Sequence, residues 1–564
     1  MNKEIQILRN KFKKYEIDGY IVPKNDDYFT EYSKINRLKI ISNFSGSAGL
    51  AVILKKKNYL FTDGRYKIQS QIESGKNFKI IKYEKLINCN LFKDLTLGID
   101  PKLFTYGQIK KFFLKNNKIK FIEKNLIDQI NKQKINKTLP FFSLNKNIAG
   151  EKSSLKINKI SKYLKKNKSD FLFISAPENV AWILNIRGSD SPNSPVPNSR
   201  LIVTKSKKIF LISEIQKCKK LIKEKLVKAS EIIDVKEFPN KILMLSGKKF
   251  IIDDKSCSIF YEDIICSKFR IIKREDPTYL FKAIKNKTEI SNMIKSHICD
   301  GAALTKFIYW MKNKNKKQIT EVQAQDKLEK FRQMNSNYLY PSFQTIAGSG
   351  KNGAIVHYRA DRKNCKVIKK NDIFLCDSGG QYKYGTTDVT RTICFSKPKQ
   401  SIKNIFTNVL KGHIAVATTN LNKDNIGKKI DIRARKFLKK NNLDYDHGTG
   451  HGVGFFLNVH EGPQSISKVN EIKIKEGMIL SNEPGYYKKN KFGIRIENLV
   501  YVKKVNKNIS FENLTLAPID KDLINYKMLT SIEKDYLFKY NLKVYSKISK
   551  LLNFNERKWL ASFI

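Results

Sequence analysis

Histidine is nearly missing from this sequence. Six occur in 564 residues, and none stands before residue 297. Acid is scarce as well: 52 Asp and Glu face 109 Lys and Arg, a formal net charge of +57. Cysteine is sparse, and the eight, at 89, 218, 257, 266, 299, 365, 376 and 394, form no CxxC pair. That excludes a ribbon-type zinc site and a disulfide framework, and leaves buried reduced thiols as the expectation. No run approaches the ~20 apolar residues of a membrane span. The first twenty residues are charged throughout and lack the apolar core of a signal peptide. Their Ile5, Leu8 and Phe12 have helical spacing instead. The expectation is a cytoplasmic protein with no membrane partner.

Hydrophobic residues make up 41% and aromatics 11%. This is far above a disordered chain and supplies several cores, as expected of a multidomain length. The charge excess is mostly lysine, spread along the chain in short clusters such as 55–57, 165–168 and 312–317. A polyanion site gathers its basic residues in one stripe or tail. Scattered lysine beside abundant Asn and Ile reads as low-GC codon usage, so no specific nucleic-acid partner is expected.

Four segments are legible, with boundaries at 1–140, 141–285, 286–505 and 506–564. The first two share wording: DGYIVPKND (18–26) with DFLFISAPEN (170–179), ISNFSGS (41–47) with ILNIRGS (183–189), and LAVILKKKNYLFT (50–62) with LIVTKSKKIFLI (201–212). Their near-constant offset predicts a duplicated α/β domain. The third opens with a long helical pattern and holds all six histidines, 297, 357, 413, 447, 451 and 460. The fourth reads as a mostly helical tail.

Chemistry concentrates in three stretches of the third segment. IFLCDSGGQYKYGTTDVTRTICF (373–395) reads as two strands around turn residues, with Asp377 and Asp388 at facing ends. Two facing carboxylates repel unless a cation lies between them. HGTGHGVGFFLNVHEGP (447–463) packs His447, His451 and His460 into a glycine-rich run, where backbone passes close without side-chain obstruction. MILSNEPGYYKKNKFGIRIENLVYV (478–502) reads as two strands interrupted by Glu483 and Glu497. Carboxylates there are costly to bury unpaired, and salt bridges, for example to Arg495, are the alternative to a metal. Four carboxylates and one imidazole suit hard divalent ions, in number enough for two.

The order Asp, Asp, His, Glu, Glu in these motifs resembles the pita-bread metallopeptidases: methionine aminopeptidase, prolidase and aminopeptidase P. FSGSAG, FTDGRY, ENVAWILNIRGSD, PSFQTIAGSGKNGAIVHY, LTLAPID and ERKWL narrow the resemblance to the long, three-domain aminopeptidase P type, over essentially the whole chain. No ligand position departs from the pattern. The resemblance implies an α/β (α+β) fold: two creatinase-like N-terminal domains, a pita-bread catalytic domain and a C-terminal helical extension. It implies two divalent ions per subunit, Mn²⁺ foremost. Asp377 would be a terminal ligand, Asp388 and Glu497 would bridge, and His451 and Glu483 would complete the second ion. A shared hydroxide would attack the bond preceding proline. His357, His447 and His460 would line the substrate site, and Glu483 would pass the proton to the departing nitrogen. His297 and His413 match no motif and are left structural. Peptides beginning Xaa-Pro are the implied substrates and a homodimer the implied assembly. A prolidase, limited to dipeptides, is the nearest rival. A creatinase acting on a non-peptide C–N bond and a metal-free pita-bread binding module stand further off.

Overall fold

A computed structural model describes residues 3–87, 89–131, 139–314, 318–363 and 365–564. The end of the lysine cluster at 312–317 lies outside the described residues. The chain divides into two compact units, Met1–Tyr279 and Leu280–Ile564.

The first unit contains two six-stranded sheets. In the first, β1 (Gly19–Pro23), β2 (Leu50–Leu54), β3 (Asn58–Thr62), β4 (Lys79–Lys82), β5 (Leu95–Ile99) and β6 (Asn117–Phe121) lie in the order β4-β3-β2-β1-β5-β6. In the second, β7 (Phe171–Ile174), β8 (Arg200–Thr204), β9 (Ile209–Ile212), β10 (Ile232–Ile233), β11 (Lys249–Ile252) and β12 (Arg270–Lys273) lie in the order β10-β9-β8-β7-β11-β12. The order is the same, and so is the pairing. β1 runs antiparallel to β2 and parallel to β5, as β7 runs antiparallel to β8 and parallel to β11. The central strands β1, β7 and β8 are buried along their whole length, with apolar middles, because both faces are covered.

The duplication extends to single side chains. Asp18 precedes β1, takes the Lys55 ammonium at 2.6 Å and accepts from the Thr96 N–H of the parallel neighbour at 2.9 Å. Asp170 precedes β7, takes Lys205 at 2.6 Å and accepts from the Lys249 N–H at 3.0 Å. In each domain one carboxylate ties the start of the central strand to the far end of the neighbouring hairpin and to the parallel strand.

The second unit opens with the helix Lys287–Lys314, capped by Asn286, whose side chain accepts from the Thr288 and Glu289 N–H groups. Strands β13 (Ile346–Ser349), β14 (Ile373–Ser378) and β15 (Val389–Cys394) form one antiparallel sheet. β16 (Gly450–Gly452), β17 (Glu461–Ile466), β18 (Ile479–Asn482), β21 (Asn498–Val505) and β22 (Asn508–Asn513) form another, in the order β17-β16-β18-β21-β22. Between β18 and β21 lies a hairpin of β19 (Gly485–Lys488) and β20 (Phe492–Arg495). The residues expected to form only the turn between β14 and β15 include a short strand, Gly380–Tyr382, which pairs with Tyr338–Pro341. Helices Gln400–Ala417 and Gly427–Lys439 pack on each other, burying Val409, Leu410, Ala434 and Leu438.

After β22 the chain runs extended and then helical, with Ser531–Ile548 and Phe554–Ala561. Arg391 of β15 fastens this region. Its buried guanidinium donates to the carbonyls of Ala517 and Pro518 and lies 3.0 Å from the Tyr540 hydroxyl. All eight cysteines are free, and five of them, 89, 218, 257, 376 and 394, are buried. No described helix is long and apolar enough to cross a membrane.

Candidate metal centre and substrate site

Two hairpins present the four carboxylates. In the first, Asp377 lies opposite Thr390 and Ser378 opposite Val389, so Asp388 stands just beyond the last rung. In the second, Asn482 of β18 pairs with Asn498 of β21, and Glu483 and Glu497 are the next residues outward. The Glu497 N–H donates to the Thr390 carbonyl, joining the two hairpins at their carboxylate ends.

His451 comes from β16. Its flanking glycines are required there: a Cβ on Gly450 would lie 2.0 Å from the Ser481 carbonyl oxygen, and one on Gly452 2.2 Å from that of Glu461. Nδ1 of His451 is 2.9 Å from the Gly452 carbonyl, which puts the proton on that nitrogen. Nε2 is left facing Asp388 Oδ2 and Glu483 Oε1, each at 3.5 Å. One ligand atom each from Asp388, His451 and Glu497 lie within 4.8 Å of one another.

The site demands positive charge. Burial, then the charges of Asp388, Glu483 and Asp377, push the Glu497 carboxyl far above its ordinary range. Burial likewise raises Asp377 to about 6, against the opposing pull of Arg495. Burial disfavours charge on His451, but the Asp388 hydrogen bond and the Glu483 charge outweigh it and raise the imidazole to about 9. Asp377 Oδ1 is buried with no hydrogen-bond partner. A set of carboxylate oxygens with one imidazole nitrogen, holding protons where it cannot hold all its charge, fits hard divalent cations. A second group, Cys394, Asp520 and Asp522, has the geometry for an ion, but the Lys312 ammonium sits 2.7 Å from Asp520 and 2.8 Å from Asp522 and neutralises it.

The outer histidines differ in placement. The His460 ring lies 4.3 Å, centroid to centroid, from that of His451. His447 bonds through Nε2 to the Tyr487 hydroxyl at 2.9 Å and comes within 4.0 Å of Glu483. Burial, reinforced by Arg495 and Arg435 against Glu483, lowers it to about 4, so it is neutral near pH 7. His357 is half-buried beyond the turn Gly350–Ala354, which packs against β20 through Gly353 and Gly493. His297 and His413 are buried, with Nδ1 against the carbonyls of Met293 and Asn482.

Sequence reasoning weighed Arg495 only as a salt-bridge partner for the two glutamates. Its closest carboxylate is Asp377, at 2.6 Å. The same guanidinium donates to Tyr487 at 2.6 Å and to the Thr390 hydroxyl at 3.0 Å, and Thr390 donates to Glu497 at 2.8 Å. Arg495, Tyr487 and Thr390 therefore form a layer behind the carboxylates that sequence reasoning did not find. The signal was present: an arginine two residues from Glu497 in an apolar strand, facing a cluster with too little positive charge.

Family models match most of the chain. Metallopeptidase family M24 matches residues 291–504, the Creatinase/Prolidase N-terminal domain matches 5–129 and again 131–289, and the C-terminal region of peptidase M24 matches 507–562. The chain is 37% identical over 608 residues to Xaa-Pro aminopeptidase 1 of Dictyostelium discoideum, covering 100% of this chain and 96% of that one. The crystal structure of an X-prolyl aminopeptidase from Caenorhabditis elegans, described as a cytosolic enzyme with a di-nuclear active site, superposes with a TM-score of 0.91. Identity there is 28%, over 99% of this chain and 98% of that one. The prolidase from Pyrococcus furiosus superposes with a TM-score of 0.52 at 26% identity, covering 64% of this chain and 99% of its own.

Proposed function

The chain belongs to metallopeptidase family M24, and from that premise we propose that it releases the first residue from peptides whose second residue is proline. The observation carrying the reading is the convergence of Asp388, His451 and Glu497, with Asp377 and Glu483 beside them, in a chain similar over its whole length to an Xaa-Pro aminopeptidase. In this reading the five residues hold two divalent ions, with Mn²⁺ favoured by an oxygen-rich donor set. When bound, such ions would polarise the scissile carbonyl and lower the pKa of a nearby water.

The remaining work falls to the side chains. Glu483 accepts a hydrogen bond from Ser481 at 3.0 Å and stands beside His451, so one oxygen is oriented while the carboxylate can carry a proton to the departing proline nitrogen. His460 and His357 orient the substrate and donate to the carbonyl oxygen as it gains charge. Neutral His447, fixed by Tyr487, offers a polar wall without adding charge. Arg495 keeps Asp377 ionised and aimed. A pyrrolidine has a locked ring and a tertiary amide, so a pocket shaped for it selects proline by fit.

Aminopeptidase is favoured over prolidase by length. The Pyrococcus furiosus prolidase accounts for 64% of this chain, whereas the aminopeptidase relative spans all of it. The reading retains four segments, 1–140, 141–285, 286–505 and 506–564, supported by the successive family-model matches. It also includes a homodimer and a cytoplasmic location, the latter supported by the worm enzyme's description. The deciding experiment is a peptide-length series on Mn²⁺-loaded protein. Xaa-Pro-Yaa should be cleaved faster than Xaa-Pro, replacing proline by alanine should cut the rate severely, and N-acetylation should stop cleavage. Rapid dipeptide hydrolysis with tripeptides ignored would make the protein a prolidase.

A further inference from the structure

One buried ion cluster lies beside the site without belonging to it. Glu461 follows His460 directly and opens β17. Its carboxylate is clasped by two lysines, Lys285 at 2.5 Å on Oε1 and Lys282 at 3.1 Å on Oε2, and all three side chains are 1% exposed. Both lysines lie in the stretch leading into the helix Lys287–Lys314. The Lys285 backbone is fixed in turn by its N–H on the Gly477 carbonyl.

Stability alone does not explain three buried charges, two of one sign, where an apolar trio of similar volume would serve as well or better. The placement suggests another use. His460 lies in the bend that leads into β17, and Glu461 is the strand's first residue. Glu461 points to the lysines, while the His460 ring packs on that of His451. Glu461 is also the residue paired with Gly452, the neighbour of His451, and the register shifts between that rung and the His451–Ser465 rung. Such an irregularity aims side chains but leaves the strand less constrained by ladder bonds. A carboxylate gripped on both oxygens restores that constraint one residue from His460.

We infer that Glu461, Lys282 and Lys285 form a positioning clamp that sets the direction of the His460 imidazole. The inference rests on the reading of His460 as a substrate-facing residue. It is tested by a double-mutant cycle. The triple variant Glu461→Leu, Lys282→Met, Lys285→Met, and the milder Lys282→Met, which keeps one buried pair, are each made with and without His460→Ala. Turnover, KM and metal content are measured on an Xaa-Pro-Yaa tripeptide.

With His460 present, the triple variant should lower kcat about tenfold, the scale of an outer-layer partner, with KM and metal content unchanged. In the His460→Ala background the same change should cost less than about twofold, because the clamp acts through the missing ring. Lys282→Met should show the same pattern more weakly, and it decides the matter if the triple variant does not fold. Equal losses in both backgrounds, no loss in either, or loss of metal would overturn the clamp alone. Full activity of His460→Ala by itself would remove the reading of His460 and the clamp with it.

Discussion

Buried charge is handled differently in the two units. In Met1–Tyr279 buried charges stand in pairs or singly among neutral partners, as Asp276 does, held by Asn179 and the Thr278 N–H and raised by burial to about 6. Lys217 takes Asp190 at 3.1 Å, with side chains 8% and 11% exposed. Lys156 donates to the Trp182 carbonyl and to Asn185. The partly exposed Asp18 and Asp170 likewise each find one lysine and a neighbouring strand's N–H. In Leu280–Ile564 four carboxylates converge on Arg495 and His451, and the cluster raises its own proton affinities. A fold serving only stability has no reason to gather like charges, since each adds repulsion and desolvation. The mismatch singles out the candidate site more plainly than any single residue.

The sharpest way to break this contrast is to relieve the repulsion. Asp388→Asn should lower kcat/KM about a thousandfold, equivalent to about 4 kcal/mol of barrier. The melting temperature of the metal-free protein should not fall, because one of the repelling charges is gone. A destabilised, active variant would place Asp388 with the structural pairs instead. The mirror experiment is Lys217→Met, which strands Asp190. It should cost about 3 kcal/mol in denaturant unfolding, with the activity of the folded fraction unchanged.

His460→Ala should reduce turnover about a hundredfold while both ions stay bound, measured by metal analysis beside kinetics. Metal loss would exchange its role with that of His451. Arg495→Met should weaken metal affinity by about 10- to 100-fold in a chelator titration, as loss of a group orienting a ligand does. Unchanged affinity would reduce Arg495 to a charge balance.

The smallest effect tests the matched side of the comparison. Burial alone would raise the Asp170 carboxyl, but Lys205 and the Lys248 and Lys249 N–H groups outweigh it and hold the group at about 2. A depressed folded pKa contributes stability above the unfolded value of about 3.9 and loses it as pH falls through about 2. Asp170→Asn should therefore cost about 1 kcal/mol at pH 7, allowing for solvent screening, and only a small fraction of that near pH 2. Denaturant midpoints at the two pH values check it. Activity should not change.

The duplicated N-terminal domains were legible in the sequence because each depends on local rules. Apolar runs of four or five residues became buried strands, and the shared wording of 18–26 and 170–179 became equivalent central strands. The five candidate ligands stood out for a similar reason, since acids that interrupt apolar strands and histidines flanked by glycine are costly unless used. The sequence by itself thus determined the fold class, the strand runs and the residue types of the site. Tertiary structure alone decided which charges meet. Asp377 lies 118 residues from the Arg495 that faces it, and Glu461 lies 176 from the Lys285 that grips it. Register and strand order close those distances, and the physical reason is that ion pairs act over a few ångströms of space, whatever the chain between them.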